Sequence, residues 1–562
     1  MNRKEFQRLV EQGPMLLDAV LTPGSELICP EVWMLDNFDK VSTALCAFRD
    51  AGCDIVRCPT AGANRLKLDT YSLAAQTREI NQELMRRCRA ALGRLPVFGT
   101  CSTLGISIEP FGEFCFEEAV SCYKEQAKAL LEGGAEGFII ADIIYIQEAR
   151  AALIAMRDIC DLPVIVQMHI EAQGSIPGGA DPLSALITLQ SLGADSVGFV
   201  SSETKLDPLR TTIEQIKPFA TVPLCAVPNM KDSSTDQCAS AGELLVNAGA
   251  NLLGGDKYAN AEHIAALGSC IRCAAAMPIA KKSISALSSC RRSVFLGFEH
   301  PFAVVGERIN PTGKKQLQAS LREGSLDMVQ KFAIEQEQRH ASVLDVNMGL
   351  SGIDEMAMML KAVRLLSRLS PLPLCIDTTR FEVVEAALRC YPGRALVNSV
   401  SGERERIECT LPAAARYGAM FTVLPLTDAG IPETVRERIG VVDMIVSAAA
   451  LYGCTVDDIV VDGLVMTISS NHEAARNTLD LISWCADTLH ANTIIGLSNV
   501  SFGLPERQWI NSAFLGMAMG QGLTMAIANP SSDSIMATVQ AYNALYGHDA
   551  GMLLRNGAFS GE

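Results

Sequence analysis

One repeated unit restricts the fold of this chain more than any other feature: a short β-rich apolar run, a polar or glycine-containing loop, then a helical stretch. In the first half the runs are MLLDAV (15–20), CDIVRC (53–58), LPVFGTC (95–101), EGFIIAD (136–142), LPVIVQMH (162–169), DSVGFVS (195–201), VPLCAV (222–227) and NLLGG (251–255). The second half repeats the pattern with FAVVGER (302–308), SVLDVN (342–347), LPLCID (372–377), RALVNS (394–399), MFTVLP (420–425), DIVVDG (458–463), NTIIGLS (492–498) and LTMAIAN (523–529). Strands that alternate with helices form parallel sheet, and eight such units are the number that closes a barrel. The expected fold class is α/β, two fused (β/α)8 TIM barrels. Their expected bounds are residues 1–276 and 298–562, with a linker at 277–297 where no strand–helix unit is found.

A length of 562 residues supports two cores rather than one. The net charge of −16 argues against nucleic acid or an anionic membrane surface as the main partner, since both select basic patches. No stretch reaches the ~18 consecutive apolar residues that cross a bilayer, and the polar, amphipathic start MNRKEFQRLVEQG does not resemble a secretory signal. The 19 cysteines are scattered singly through apolar segments, as expected of buried thiols in a cytoplasmic protein.

In such barrels the reactive groups sit where strands end. In the second half those ends read Glu307 with Asn310, Asp345 with Asn347, Asp377, Asn398, Asp462, Ser498 with Asn499, and Asn529. Asp and Asn commonly begin loops and cap helices. Seven strands ending this way in one barrel call for more than capping. Ionised Asp only accepts hydrogen bonds, whereas Asn both donates and accepts. Such a rim suits a flat heterocycle with many donors and few acceptors, and a reduced pterin is one.

The segments GERINPTGKK (306–315), VLDVNMG (343–349), CIDTT (375–379), ALVNSVSGE (395–403) and GLSNVSFGLPERQWINSAFL (496–515) carry a closer likeness. They resemble the folate domain of cobalamin-dependent methionine synthase and the methyltetrahydrofolate:corrinoid methyltransferases. The Asn-x-Thr-x-Asp-Ser-Phe signature of dihydropteroate synthase, which shares the fold, is absent. The resemblance implies that Asp377, Asn398 and Asp462 bond the pterin ring, with Glu307, Asn310, Asp345, Asn347, Ser498 and Asn529 completing the rim. It places Asn499 beside the nitrogen that carries the methyl group, as the catalytic residue. VDGLV at 461–465 departs from the Asp-Pro start usual at that position. An amide is no general acid near neutral pH, so Asn499 is cast as a stabiliser of developing charge, with reduced cobalt as the methyl acceptor. Lys314 and Lys315 are candidates for the anionic folate tail or for a solvated loop.

The first half resembles the homocysteine S-methyltransferase domain through GCDIVRCPTAGANRLKL (52–68), residues 109–140, DPLSALITLQSLGADSVGF (181–199), VPNM (227–230) and GANLLGGDKYANAEHIAALG (249–268). That family holds zinc with three cysteines. Here Ser201, Asp256 and Lys257 stand at those positions, so no zinc is expected there and no metal ligand is assigned. Pro59 and Ala141 also replace an expected Asn and Glu. The barrel is either a scaffold or a repurposed site, for which Cys58, Cys101, Asp142, His169 and Asp256 lie at strand ends. The Cys270-x-x-Cys273 pair, with no second pair near it, is not read as a zinc site.

The expected activity is methyl transfer between methyltetrahydrofolate and a corrinoid. No Asp-x-His-x-x-Gly segment of cobalamin-binding domains occurs, so the corrinoid is expected on a separate protein. The alternatives are a methionine synthase component with an altered acceptor site and a non-catalytic folate-binding or assembly protein. The direction of transfer, the ultimate donor and the oligomeric state (a homo-oligomer included) stay open.

Overall fold

The structure is a computed structural model that describes residues 1–21, 29–271, 279, 284–469 and 473–548. The chain divides into two compact units, Met1–Lys282 and Ser283–Glu562. Among the described residues, no helix is long and apolar enough to cross a membrane.

In the first unit every apolar run becomes a strand: β1 (Met15–Leu16), β2 (Val56–Cys58), β3 (Val97–Ser102), β4 (Phe138–Ile143), β5 (Val164–Ile170), β6 (Ser196–Ser201), β7 (Leu224–Val227) and β8 (Leu252–Leu253). They form one parallel eight-stranded sheet in the order β1-β8-β7-β6-β5-β4-β3-β2. Its edges meet through a single parallel bridge, Leu17 to Ile55. Asp54 reinforces that seam by accepting from the Leu16 backbone N–H at 2.7 Å. Helices cover the outer face, so both faces of the strands are buried and the strands read as continuous apolar runs.

The end where strands begin is plugged by the helix Arg3–Gln12, whose start is fixed by a capping box between Asn2 and Glu5. Phe6 and Val10, one turn apart on that helix, pack with Leu17, Ile55, Phe98, Ile139, Ile165, Cys225 and Leu252.

The second unit opens with a hairpin, β9 (Ala286–Ser288) and β10 (Ser293–Phe295), within the tract expected as a linker. Residues 277–278 and 280–283 of that tract lie outside the described residues. Then come β11 (Ala303–Ile309), β12 (Val343–Val346), β13 (Leu374–Asp377), β14 (Leu396–Ser401), β15 (Met420–Leu424), β16 (Ile459–Asp462), β17 (Asn492–Gly496) and β18 (Met525–Ala528). They close a parallel barrel in chain order, with β18 pairing back to β11.

Here the hairpin is the plug. Leu287 and Leu296 pack against Ala303, Val343, Leu396, Met420, Val460, Ile494 and Met525 from the strand beginnings. Buried Arg394 pins it, donating from Nη1 to the carbonyls of Ile284 (2.8 Å) and Ala286 (3.0 Å). Its Nη2 pairs with Asp458 at 2.5 Å and its Nε reaches the Gly418 carbonyl at 2.9 Å.

Candidate functional site

At the open end of the second barrel, hydrogen bonds join strand ends to one another. β11 brings Glu307 to the rim. Gly306, just before it, lets the helix Asp327–Gln338 approach closely: a Cβ there would stand 2.4 Å from Gln336 Oε1. Gln336 Oε1 accepts instead from the Arg308 N–H at 2.9 Å. Just after β17, which β18 separates from β11, Ser498 Oγ donates to Glu307 Oε2 at 3.1 Å.

Asn310 and Asn347 both donate to Asp377 Oδ2, at 3.4 and 2.9 Å. Their own carbonyl oxygens accept from Thr312 N and Gly349 N, at 3.0 and 2.8 Å, which fixes both amides. Among the described residues no donor reaches Asp377 Oδ1. Asp345 is buried, and its Oδ1 meets no hydrogen-bond partner among the described residues. Burial and then the nearby Asp377 carboxylate push its pKa well up. Asp377 is also raised by burial, a rise that the Asn347 hydrogen bond opposes and the Glu355 charge adds to. Asn398 accepts from the Thr378 N–H through its backbone carbonyl at 3.3 Å and precedes a cis peptide to Ser399.

Asp462 stands apart from this chain of contacts. Its Oδ1 accepts from the Leu464 N–H at 2.7 Å. Burial pushes its carboxyl up to about 6, and the Leu464 N–H and the Arg438 guanidinium offset only part of that rise.

Asn499 ends the short 3-10 turn Leu497–Asn499 that follows β17. It is exposed, and its amide meets no hydrogen-bond partner among the described residues. Gly496 makes room for it, since a Cβ there would lie 3.0 Å from Asn499 Nδ2. Asn529 behaves as a loop starter, its Oδ1 accepting from the Ser531 N–H at 3.1 Å. Lys314 Nζ donates to the carbonyls of Glu307 (3.4 Å) and Asn310 (3.1 Å), so it holds the β11 loop, while Lys315 is exposed.

Sequence reasoning missed the surroundings of Asn499. Phe502 and Trp509 are 68% and 63% exposed, far beyond what large aromatics normally show. Both lie in the motif GLSNVSFGLPERQW, but exposure is not written in residue type.

The open end of the first barrel is differently furnished. A cavity of about 510 Å3 is bordered by Glu31, Arg57, Cys58, Lys67 and Asp142. A second, of about 420 Å3, is bordered by Arg57, Asp142, His169, Ser201, Asp256 and Lys257. Of the five strand-end residues singled out, Asp142, His169 and Asp256 therefore share one mouth. Cys101 borders neither cavity, and Cys58 borders only the first. The Cys58 sulfur lies 3.9 Å from Cys88 of the helix Thr77–Leu92, and Cys101 is fully buried. Burial raises the pKa of both thiols.

His169 Nε2 lies 3.2 Å from Asp142 Oδ1, and Asp142 occupies the left-handed region at φ 57°. Burial raises the Asp142 carboxyl, yet His169, Arg57 and Lys67 outweigh it and leave its pKa below the ordinary value.

The three positions of the zinc cysteines are engaged elsewhere. Ser201 Oγ donates to the Glu203 carbonyl at 2.7 Å. Asp256 Oδ1 accepts from the N–H groups of Met230 (3.3 Å) and Tyr258 (3.1 Å). Lys257 Nζ sits 5.2 Å from the Tyr258 ring centre. Among the described residues no group of three or more His, Cys, Asp or Glu is arranged to hold a metal ion. Cys273 and the Cys270 side chain lie outside the described residues.

Residues 11–271 match the family model for homocysteine S-methyltransferase, and residues 306–529 match the model for pterin binding enzymes. Methionine synthase of Mycobacterium leprae (strain TN) is 25% identical over 565 residues, covering 92% of this chain and 47% of that protein. Methionine synthase of Mycobacterium tuberculosis (strain ATCC 25618 / H37Rv) is 24% identical over 543 residues, covering 90% and 45%. The chain thus spans about half the length of the curated relatives it matches. The metallated homocysteine methyltransferase MmuM of Escherichia coli superposes with a TM-score of 0.41 at 17% identity, over 47% of this chain and 98% of that one.

Proposed function

We propose that this chain, an N-terminal methionine synthase-like module of a homocysteine S-methyltransferase-type domain followed by a pterin-binding domain, moves a methyl group between methyltetrahydrofolate and a corrinoid on a separate protein. One observation carries the reading: the rim of the second barrel offers Asp377 and Asp462, each with one carboxylate oxygen bonded to the protein and one left over, beside the unpaired amide of Asn499. The leftover oxygens suit the ring N–H and exocyclic amine of a reduced pterin.

The methyl group of methyltetrahydrofolate sits on a tertiary amine, which leaves poorly until its nitrogen gains a proton or a strong hydrogen bond. Asn499 answers that need. Its amide has no protein partner to give up, so it turns to the nitrogen and its interaction strengthens as charge develops. The corrinoid, when bound, supplies the metal centre that exchanges the methyl group. Exposed Phe502 and Trp509 lie three and ten residues after Asn499 and give a docking partner an apolar foothold next to the reacting nitrogen. The same arrangement serves either direction of transfer.

In the first domain Ser201, Asp256 and Lys257 do not fit zinc, because an ammonium has no lone pair and Ser201 and Asp256 are engaged with the backbone.

The test is to mix the protein with methyltetrahydrofolate and free cob(I)alamin and follow the Co(I) absorbance. Saturable decay above the uncatalysed rate is expected. Folate binding without any acceleration would replace this reading with a binding or assembly role. Methionine formed on adding homocysteine and zinc would favour the methionine synthase component instead.

A further inference from the structure

Burial and helix electrostatics both disfavour a cation at position 438, yet an arginine stands there. Arg438 lies near the start of the helix Val435–Ala450, just after the capping box of Thr434 and Glu437, and is 3% exposed. The first turns of a helix repel positive charge, and burial disfavours the charged form further. Among the described residues Arg438 makes no direct ion pair. Its Nε donates to the Pro432 carbonyl at 3.3 Å, and its Nη1 to the Leu464 carbonyl at 3.4 Å.

Leu464 links this arginine to the rim of the barrel. Its N–H donates to Asp462 Oδ1 at 2.7 Å, and its backbone occupies the left-handed region at φ 52°, which is uncommon for a residue with a Cβ. Thr478 Oγ1 donates to the same Leu464 carbonyl at 3.4 Å. Between the two stands Gly463, where the resemblance expects proline. Its N–H donates to the Ile494 carbonyl of β17 at 2.9 Å, a bond that proline cannot make. Glycine does not fix the backbone as a proline ring would, so the turn that aims Asp462 depends on contacts made from outside it.

The two charges also answer each other. Burial lowers the Arg438 pKa, and the Asp462 charge opposes that fall. Burial raises Asp462, against which stand the Leu464 N–H and then Arg438. The flanking strands β15 and β17 carry no titratable side chain. Arg436, Glu437 and Asp443 on the arginine's own helix are exposed, and Arg476 and Asp480 of the helix Ala474–Trp484 pair with each other at 4.0 Å. We propose that Arg438 is a positioning residue of the pterin site: by holding the Leu464 carbonyl it fixes the turn from which Asp462 meets the ring. The proposal rests on the pterin reading of the second barrel and deepens it.

The whole chain and its variants are titrated with methyltetrahydrofolate by calorimetry from about pH 5.5 to about 8. Above about pH 7, Arg438→Met should weaken binding about tenfold. The pH below which affinity falls should rise by about half a unit or more, because the cation that favours the charged carboxylate is gone. Arg438→Lys should restore that pH but only part of the affinity, since an ammonium lacks the planar fork that reaches two carbonyls. In an Asp462→Asn background, Arg438→Met should cost at most about twofold more, whereas general damage to the fold would act there in full. Full loss in that background, an unmoved acid limb, or a lysine that does not restore it overturns the proposal. If Asp462→Asn weakens binding and Arg438→Met does not, the positioning role alone falls. If neither alters the affinity, the pterin reading of Asp462 falls with it. Should Arg438→Met fail to fold, Arg438→Gln keeps a donor without the charge, and an unmoved acid limb in that variant overturns the proposal.

Discussion

The two barrels share a topology and differ at both ends. The first is plugged by a helix carrying Phe6 and Val10, the second by a hairpin pinned through Arg394. At the open ends, the second barrel joins polar groups from strands one or two places apart, from Asn310 and Asn347 to Asp377 and from Ser498 to Glu307. The first instead lines its mouth with Arg57, Asp142, His169 and Asp256, and leaves buried atoms of both kinds unpaired there, Arg57 Nη2 and Gln167 Oε1 among them. The scaffold decides where a side chain stands; the residue type at each strand end decides what chemistry the mouth offers. One architecture thus carries two differently furnished mouths.

The largest effects should come from the plugs. Arg394→Met takes the cationic partner from Asp458 and the guanidinium donors from three carbonyls, which should cost about 3–5 kcal/mol. Phe6→Ala should cost a similar amount, about 3–5 kcal/mol, through the cavity it leaves. Hydrogen exchange resolved along the chain would place each loss in its own unit. Loss in both units from either change would break the picture of two separate cores.

Next comes Asn499→Ala. It should slow methyl transfer by about 100-fold, or ~2.7 kcal/mol, with folate affinity nearly unchanged. Ser201→Ala, at a strand end of the first barrel, should leave that rate alone. Abolished folate binding in Asn499→Ala would show the amide to be a binding group instead.

Asp377→Asn should weaken methyltetrahydrofolate by about 10–30-fold in calorimetry, the worth of one charge-assisted hydrogen bond. Asp142→Asn should not change it. Affinity that survives the loss of Asp377 places the pterin elsewhere.

The smallest effect is a pH profile. In the free protein burial raises Asp462 to about 6, and pterin N–H donors favour its charged form. Through Asp462 alone, folate affinity should then be level above pH 7 and fall by at most tenfold per unit below about 6. Asp345 and Asp377 are shifted in the same direction and can steepen the acid limb. For stability the sign is opposite. A carboxyl whose folded pKa is raised favours the fold at acid pH, and that contribution is lost as pH rises from about 4 to about 6. Asp462→Asn should therefore flatten the affinity profile near pH 6. It should also stabilise the folate-free protein at neutral pH by on the order of 1 kcal/mol, a figure reduced because the side chain is partly exposed. A variant that loses both affinity and stability would contradict this account.

The sixteen strands were legible because strands buried on both faces are written as unbroken apolar runs. The rim was legible as residue types, Asp and Asn where runs stop. Which way each side chain turns was not, because a shift of one position moves a side chain from the inside of a barrel to its outside. Cys58 and Cys101 stand at strand ends like Asp142, yet both are buried thiols, and the Cys58 sulfur lies by a helix. Asn529 has the same type as Asn499, but its oxygen closes a local turn. The hairpin escaped notice because its strands are three residues each, among serines and arginines, with no period to read. Arg57 looked like any strand arginine; its unmet donors exist only in three dimensions.

The hairpin has one more effect, on traffic. A vessel stoppered at its base has a single doorway, so folate leaves by the opening through which it came. On the proposed reading the corrinoid carrier stands over that doorway during transfer. Spent folate must then wait for the carrier to depart, which favours brief, rapidly reversible encounters over a lasting complex.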